Sequence, residues 1–346
     1  MHLRPEHAVR DLPTLHAFIQ QHPLGVLTTS LPSEDHPTLQ CSHIPWVLDS
    51  ETHLESELVS QAERADNGMT TSTTHASMGV LRGHIARQNP QSKAMVESAL
   101  DSKTQIISIP GAFPTSIHEE DNPISPGYTL PGEVMIVFTS PVDHYITPNF
   151  YTESKPATGR VAPTWNYATV QVYGRATIYH DPKDEQTELF LRQQLGDLAR
   201  LGEQGIMGFQ DESRAGPGSD VRHGKAGSGD VRSDPLQGQG QGLAPDLDLD
   251  LDQGKGAATG ASGHGTGTAL SLPWKIADAP REYIAALLKN IVGMRVEITR
   301  VEGRFKVSQE RPANDRAGVV EGLERMDGRA RDMAEFVRRG KVLSGR

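Results

Sequence analysis

The chain has 346 residues, room for one large domain or two small ones, and its 44 acidic against 34 basic residues give a formal charge of −10. That balance argues against a protein that coats nucleic acid by neutralising phosphates, while leaving room for a small, locally basic site. A single cysteine, Cys41, excludes an intrachain disulfide, no apolar run reaches the ~18 residues of a membrane span, and the leading Met1-His2-Leu3-Arg4-Pro5 lacks the apolar stretch of a secretory signal. A cytoplasmic protein is expected, with the nucleus left open.

In chain order, 11–20 reads as a helix with Asp11 as N-cap, Pro13 in its first turn, and Leu12, Leu15, Phe18 and Ile19 at helical spacing. Residues 24–29 and 38–48 read as strands, the second with Pro45 marking an edge or a bulge. Residues 80–87 and 133–140 follow, the latter holding the run Val134-Met135-Ile136-Val137-Phe138. From 168 to 179, Val170, Val172 and Ile178 share one face, and in 292–299 Val292, Met294, Val296 and Ile298 alternate with polar residues and glycine, the period of a half-buried strand. Helices are expected at 184–201, with Leu189, Leu191, Leu195 and Leu198, and at 278–290, capped by Asp278. Residues 318–339 read as one or two polar helices interrupted near Gly328, and 324–346 as a helical tail ending in the solvated Arg338-Arg339-Gly340-Lys341.

Three stretches read as additions to this pattern. Residues 205–270 are a low-complexity, disordered insertion: 208–270 holds 15 of the 34 glycines and one aromatic, Phe209. Such a segment buries too little apolar area to offset ~1–2 kcal/mol of backbone entropy per residue. Residues 51–78, rich in Ser, Thr and Glu, and 110–132, with five prolines, read as loop expansions. What remains, 1–204 with 271–323, has the size of one interrupted domain, an α+β, mainly β fold with peripheral helices.

Four clusters carry the chemistry. His43-Ile44-Pro45-Trp46 lies in a strand. Arg82-Gly83-His84-Ile85-Ala86-Arg87-Gln88-Asn89-Pro90 runs from a strand end into a short helix; glycine followed by His, Arg and Asn suits a phosphate cradle, and the alternative is a polar strand terminus. Residues 140–167 form an aromatic, proline-stiffened loop ending in Pro163-Thr164-Trp165-Asn166-Tyr167, suited to the wall of a planar-ligand pocket or to ordinary packing. Within it Asp143 and His144 are adjacent, so in a strand they point oppositely and make a poor catalytic pair. The fourth is Gly303-Arg304-Phe305-Lys306-Val307-Ser308-Gln309-Glu310-Arg311, where Lys306, Ser308 and Arg311 make an anion-binding set or else a solvated basic turn. No dinucleotide fingerprint, P-loop, Cys-x-x-Cys, His-Glu-x-x-His or Gly-x-Ser-x-Gly occurs, no helix-turn-helix pattern is evident, and no metal site is expected.

In this order, His43-Ile44-Pro45, Gly83 to Pro90, Tyr145 to Tyr151, Pro163 to Tyr167 and Gly303 to Arg311 resemble the motifs of the PaiB-type family of FMN-binding negative transcriptional regulators. The loop expansions look like those of a eukaryotic, fungal member. The resemblance implies an FMN-binding split β-barrel that forms a homodimer and holds FMN at the subunit interface. It implies His43, His84, Arg87, Asn89, Trp165, Asn166, Lys306 and Arg311 as cofactor-binding residues. Arg87, His84 and Lys306 would take the phosphate, Trp165 would flank the ring, and Asn166 or Asn89 would meet its polar edge. Catalytic residues stay unassigned. Direct DNA binding is not evident, so regulation would be indirect. A flavin- or haem-dependent oxidoreductase, using His43, His84 or His144, and a cofactor-free interaction protein are the competing readings.

Overall fold

The computed structural model describes residues 1–49, 78–107, 127–210, 272–326 and 328–340, with backbone alone for 102–107. The expected expansions at 51–78 and 110–132 and the insertion at 205–270 therefore fall mostly outside the described residues. Met1–Gly208 and Trp274–Arg346 form one compact unit, and Phe209–Pro273 is counted separately. Among the described residues no helix is long and apolar enough to cross a membrane.

The first unit is a mainly antiparallel sheet with peripheral helices, and the sheet is not closed. Its strands are β1 (Ala8–Val9), β2 (Leu24–Ser30), β3 (Leu39–Pro45), β4 (Val47–Asp49), β5 (Val80–Ala86), β6 (Tyr128–Thr139), β7 (His144–Ile146), β8 (Thr164–Tyr179) and β9 (Ile291–Lys306). The order is β3-β2-β6-β8-β9-β5-β4, with β1 against β9 and β7 against β8. The expected single strand at 38–48 is two strands. Pro45 has no N–H to donate, Trp46 N–H makes the last bond of the β2 side, to Pro23 O at 2.9 Å, and beyond it the chain changes partner, β3 pairing with β2 and β4 with β5.

Three strands outrun their expected ends. β6 begins at Tyr128, inside the stretch read as loop, and absorbs the irregularity between Thr129 and Glu133 as a bulge. β8 takes in Trp165-Asn166-Tyr167, read as loop, and β9 runs on through Arg304 and Lys306, read as a turn. The reason is mutual: β8 and β9 pair from Tyr167↔Lys306 to Tyr179↔Gly293, so each strand satisfies the backbone of the other.

The inner face carries the core, where Leu15, Phe18 and Ile19 of α1 (Leu12–Gln21) meet Ile136, Phe138, Val170, Val172, Met294 and Phe305. Asp11 caps α1 as expected, accepting from Thr14 N–H at 3.0 Å. Residues 90–107, expected to hold only a short helix, form α2 (Pro90–Ile107). After α3 (Ser154–Thr158), the C-terminal pair is α6 (Ala313–Glu324) and α7 (Arg329–Arg339), broken at Gly328 with φ +60°. These two are not a polar tail: Val319, Leu323, Met333, Phe336 and Val337 belong to the main core.

On the outer face, α4 (Glu185–Arg200) and α5 (Arg281–Lys289) cover one end of the sheet through Leu191, Ile284, Leu288 and Ile291. Leu189, expected on the packed face of α4, points to solvent. The expected cap Asp278 instead closes a 3-10 turn by accepting from Lys275 N–H at 2.8 Å, and Pro280 stands at the start of α5.

Candidate functional site

The eight candidate residues fall into two groups. His84 pairs across β5–β9 with Gly293, which pairs with Tyr179; Lys306 pairs with Tyr167. From Tyr167 to Tyr179, at about 3.3 Å per residue, β8 separates the groups by roughly 40 Å of strand. Within one protomer they do not converge on one ligand.

At the covered end, the side chains expected to form a phosphate cradle have partners inside the fold. The close approach that Gly83 permits is taken by Trp46, whose Cε3 would lie 2.9 Å from an added Cβ. His84 Nδ1 donates to Oε1 of the fully buried Gln194 at 2.7 Å. Two residues back on the same strand face, Arg82 donates to Asp197 at 2.8 Å, so two rungs join β5 to one face of α4. Burial holds the His84 imidazole below its ordinary pKa, against the Gln194 bond. Arg87 donates to the carbonyls of His180 at 2.7 Å, Lys289 at 2.8 Å and Ile291 at 3.1 Å, clasping the end of α5 to β9. Asn89 caps α2 through Gln91 N–H at 2.9 Å and reaches Ser42 Oγ at 3.1 Å. The bonds of these side chains are those of a scaffold.

The other end of β8 and β9 lies beyond α4 and α5, with the first residues of the chain against it: Arg304 Nη1 donates to His2 O at 3.1 Å and the Met1 ammonium to Glu302 Oε2 at 2.9 Å. Trp165 and Tyr167 project from the outer face of β8, with Trp165 half exposed, its Nε1 on Asp143 Oδ1 at 3.0 Å, and its ring edge-on to Tyr145 at 6.1 Å. Asp143 thus serves the indole, and His144 bonds to Tyr145 O at 2.7 Å, so the two make no catalytic pair. Lys306, opposite Tyr167, donates to Thr164 Oγ1. The Arg304 guanidinium lies 5.7 Å from the Tyr167 ring, and that of Arg311 lies 4.5 Å from the Tyr151 ring. Burial first, and then the charges of Arg304, Arg311 and Arg4, pull the Lys306 ammonium below its ordinary pKa, while Glu310 holds it up.

Arg304 and Arg311 each carry an Nε–H shielded from water with no hydrogen-bond partner; Arg311 Nε has only a loose ion contact to Glu310 at 3.5 Å. The site is therefore a cluster of cations with unspent Nε donors beside an aromatic wall, suited to an anion attached to a planar group. Asn166 is fully buried and faces Ser308, so neither reaches the outer face. The reading of Ser308 as an anion ligand changes accordingly. His43 shares the outer face, on a rung that runs through Val26, Val137 and Gln171 to Glu302. Arg304 and Arg4 were not among the expected site residues. The signal for Arg304 was present: in a strand, Arg304 and Lys306 share a face. Arg4 had none, because it reaches the site through β1, which pairs with Arg304 and Gly303.

Residues 1–215 match the family described as "Putative FMN-binding domain". An uncharacterized protein of Aspergillus fumigatus is 37% identical over 94% of this chain and 92% of its own length. One from Emericella nidulans is 34% identical over 94% and 91%. Among solved structures, the flavocytochrome Anf3 from Azotobacter vinelandii aligns at 8% identity over 88% of this chain and 72% of its own, with a TM-score of 0.33. A chain described as a "putative 5-nitroimidazole antibiotic resistance protein" from Bacteroides thetaiotaomicron aligns at 6% identity over 88% and 94%, with a TM-score of 0.31. On the family match and the two fungal sequences, the chain belongs to the "Putative FMN-binding domain" family, and FMN is the cofactor of that family.

Proposed function

We propose that this protein seats FMN on the open end of the outer face, with the phosphate at Arg304, Lys306 and Arg311 and the ring against Trp165 and Tyr167. The observation that carries the reading is the pair of partnerless, buried Nε–H groups of Arg304 and Arg311 beside Lys306. A buried donor without a partner costs ~1–3 kcal/mol, and a phosphate monoester offers strong acceptors to such a group. The residues present therefore fit FMN. When bound, FMN supplies hydride and electron transfer; Lys306 and the two arginines bind it, and the aromatic pair orients it. Arg87, with three carbonyls already on its guanidinium, is assigned to the scaffold.

Lys306→Ala is expected to weaken FMN binding by about tenfold to a hundredfold, since a charge-assisted hydrogen bond is worth ~1.5–3 kcal/mol, and to leave riboflavin nearly unchanged. Arg87→Ala should lower thermal stability and leave the FMN-to-riboflavin ratio as in the wild type. Fluorescence titration with both flavins reads these outcomes. Equal loss of FMN and riboflavin in Lys306→Ala would remove the phosphate from this end. A colourless wild type that ignores FMN would replace the reading with a cofactor-free interaction protein. Reduction of the bound flavin by NAD(P)H would extend it to an oxidoreductase. Any effect on genes, as the PaiB-type resemblance implies, acts through the flavin or a partner rather than through direct DNA contact.

The same face continues across β6, β2 and β3, where Met135, Val137, Val26 and the solvent-exposed Leu24 and Leu39 leave apolar surface. A second copy covers it in a homodimer, because a two-fold buries this face on both protomers and adds a second wall to the flavin site. Sedimentation at micromolar concentration should give about twice the 37.6 kDa chain mass. A monomer there removes the interface.

A further inference from the structure

Among the described residues other than glycine, Ser308 alone has a positive φ, 60°. That region favours glycine, because a Cβ there crowds the backbone. What serine adds over glycine is a hydroxyl, and this one is buried and fully engaged. Asn166 Nδ2 donates to Ser308 Oγ at 2.9 Å, and Ser308 Oγ approaches Asn166 Oδ1 at 3.3 Å. Asn166 stands in β8 between Trp165 and Tyr167. Ser308 opens the turn after β9: its carbonyl accepts from Arg311 N–H at 3.1 Å, and Lys306 lies two residues before it. Gln309 holds the same turn from the other side, accepting from Val307 N–H at 2.7 Å and donating to Glu6 O at 3.0 Å. The Asn166–Ser308 pair thus joins the strand of the aromatic wall to the turn that carries the cations.

We infer that Ser308, through Asn166, is a positioning residue of the flavin site: it sets the spacing between the cations at Lys306 and Arg311 and the wall at Trp165 and Tyr167. That spacing selects a ligand by the distance from its phosphate to its ring. The inference rests on the FMN reading above.

The test compares wild type, Ser308→Gly and Ser308→Ala by fluorescence titration with FMN and with riboflavin, alongside thermal unfolding without flavin. Glycine removes the hydroxyl and relieves the backbone. It is expected to melt near wild type, to bind FMN about tenfold more weakly, and to bind riboflavin nearly as before. Alanine removes the hydroxyl and keeps the crowded backbone; it is expected to melt lower and to show the same loss of FMN preference. A Ser308→Gly protein with the wild-type FMN-to-riboflavin ratio overturns the positioning role, whatever its melting temperature. If Ser308→Gly does not fold, an unchanged ratio in Ser308→Ala overturns it equally. A wild type that binds FMN no more tightly than riboflavin removes the FMN reading and this inference with it, and that failure is read from a different protein in the same titration.

Discussion

Gly174→Val is expected to destabilise the protein by at least about 3 kcal/mol, lowering the melting temperature by roughly 6–12 °C for a domain of this size. Gly174 lies where β8 and β9 shift register, after Tyr173. An added Cβ would stand 2.3 Å from the carbonyl oxygen of Glu297 and 2.7 Å from Val296 Cγ1. The oxygen belongs to the neighbouring strand, so relief requires parting the longest pairing of the sheet rather than turning a side chain. Gly196→Ala, in α4 with open space around its Cβ, is the control and should be neutral or slightly stabilising. Differential scanning calorimetry of the two variants reads the contrast. Equal melting temperatures would mean that the β8–β9 pairing is looser at Gly174 than these distances require.

Arg82→Met is expected to cost about 3 kcal/mol, the lower end of the range for breaking a buried ion pair because water reaches part of it. Arg82 binds Asp49 through two bonds, at 2.5 and 2.7 Å, and Asp197 through a third at 2.8 Å. Its side chain is 11% exposed, against 25% for Asp49 and 16% for Asp197. Methionine keeps much of the packing and leaves Asp49 without its cation, while Asp197 keeps Arg200 at 3.0 Å. Much of the cost is therefore the stranded Asp49 charge, and Arg82→Met with Asp49→Asn should recover part of it. Chemical denaturation of the single and double variants checks this. A double variant no more stable than Arg82→Met would place the loss in packing between α4 and β5 instead.

Much of the secondary structure was legible in the chain. The Asp11 cap and the spacing of Leu15, Phe18 and Ile19 determine α1, and the alternation from Val292 to Ile298 determines the heart of β9. These signals are local, carried by residues within a turn or two of one another. Strand ends are not local. Trp165-Asn166-Tyr167 carries no apolar-polar alternation, while Arg304-Phe305-Lys306-Val307 alternates but is too short and too basic to read as more than a turn. They extend because each finds the other across the ladder, and an unpaired backbone would be costly.

The same division runs through the site. The residue types of the Gly83–Pro90 motif are plain in the chain, and their chemistry suits an anion. Whether Arg87 meets a ligand or three carbonyls depends on where His180, Lys289 and Ile291 arrive, two of them about 200 positions later in the chain. The basic character of Arg304, Lys306 and Arg311 was likewise visible. Their convergence with Arg4, the burial of Ser308 against Asn166, and the end of the sheet that α4 and α5 leave open were decided by tertiary packing. Sequence alone determined which groups can bind an anion and a ring. Only the folded sheet decided which of them are spent on the scaffold, because a donor's partner is set by the three-dimensional arrival of distant backbone and not by its neighbours in the chain.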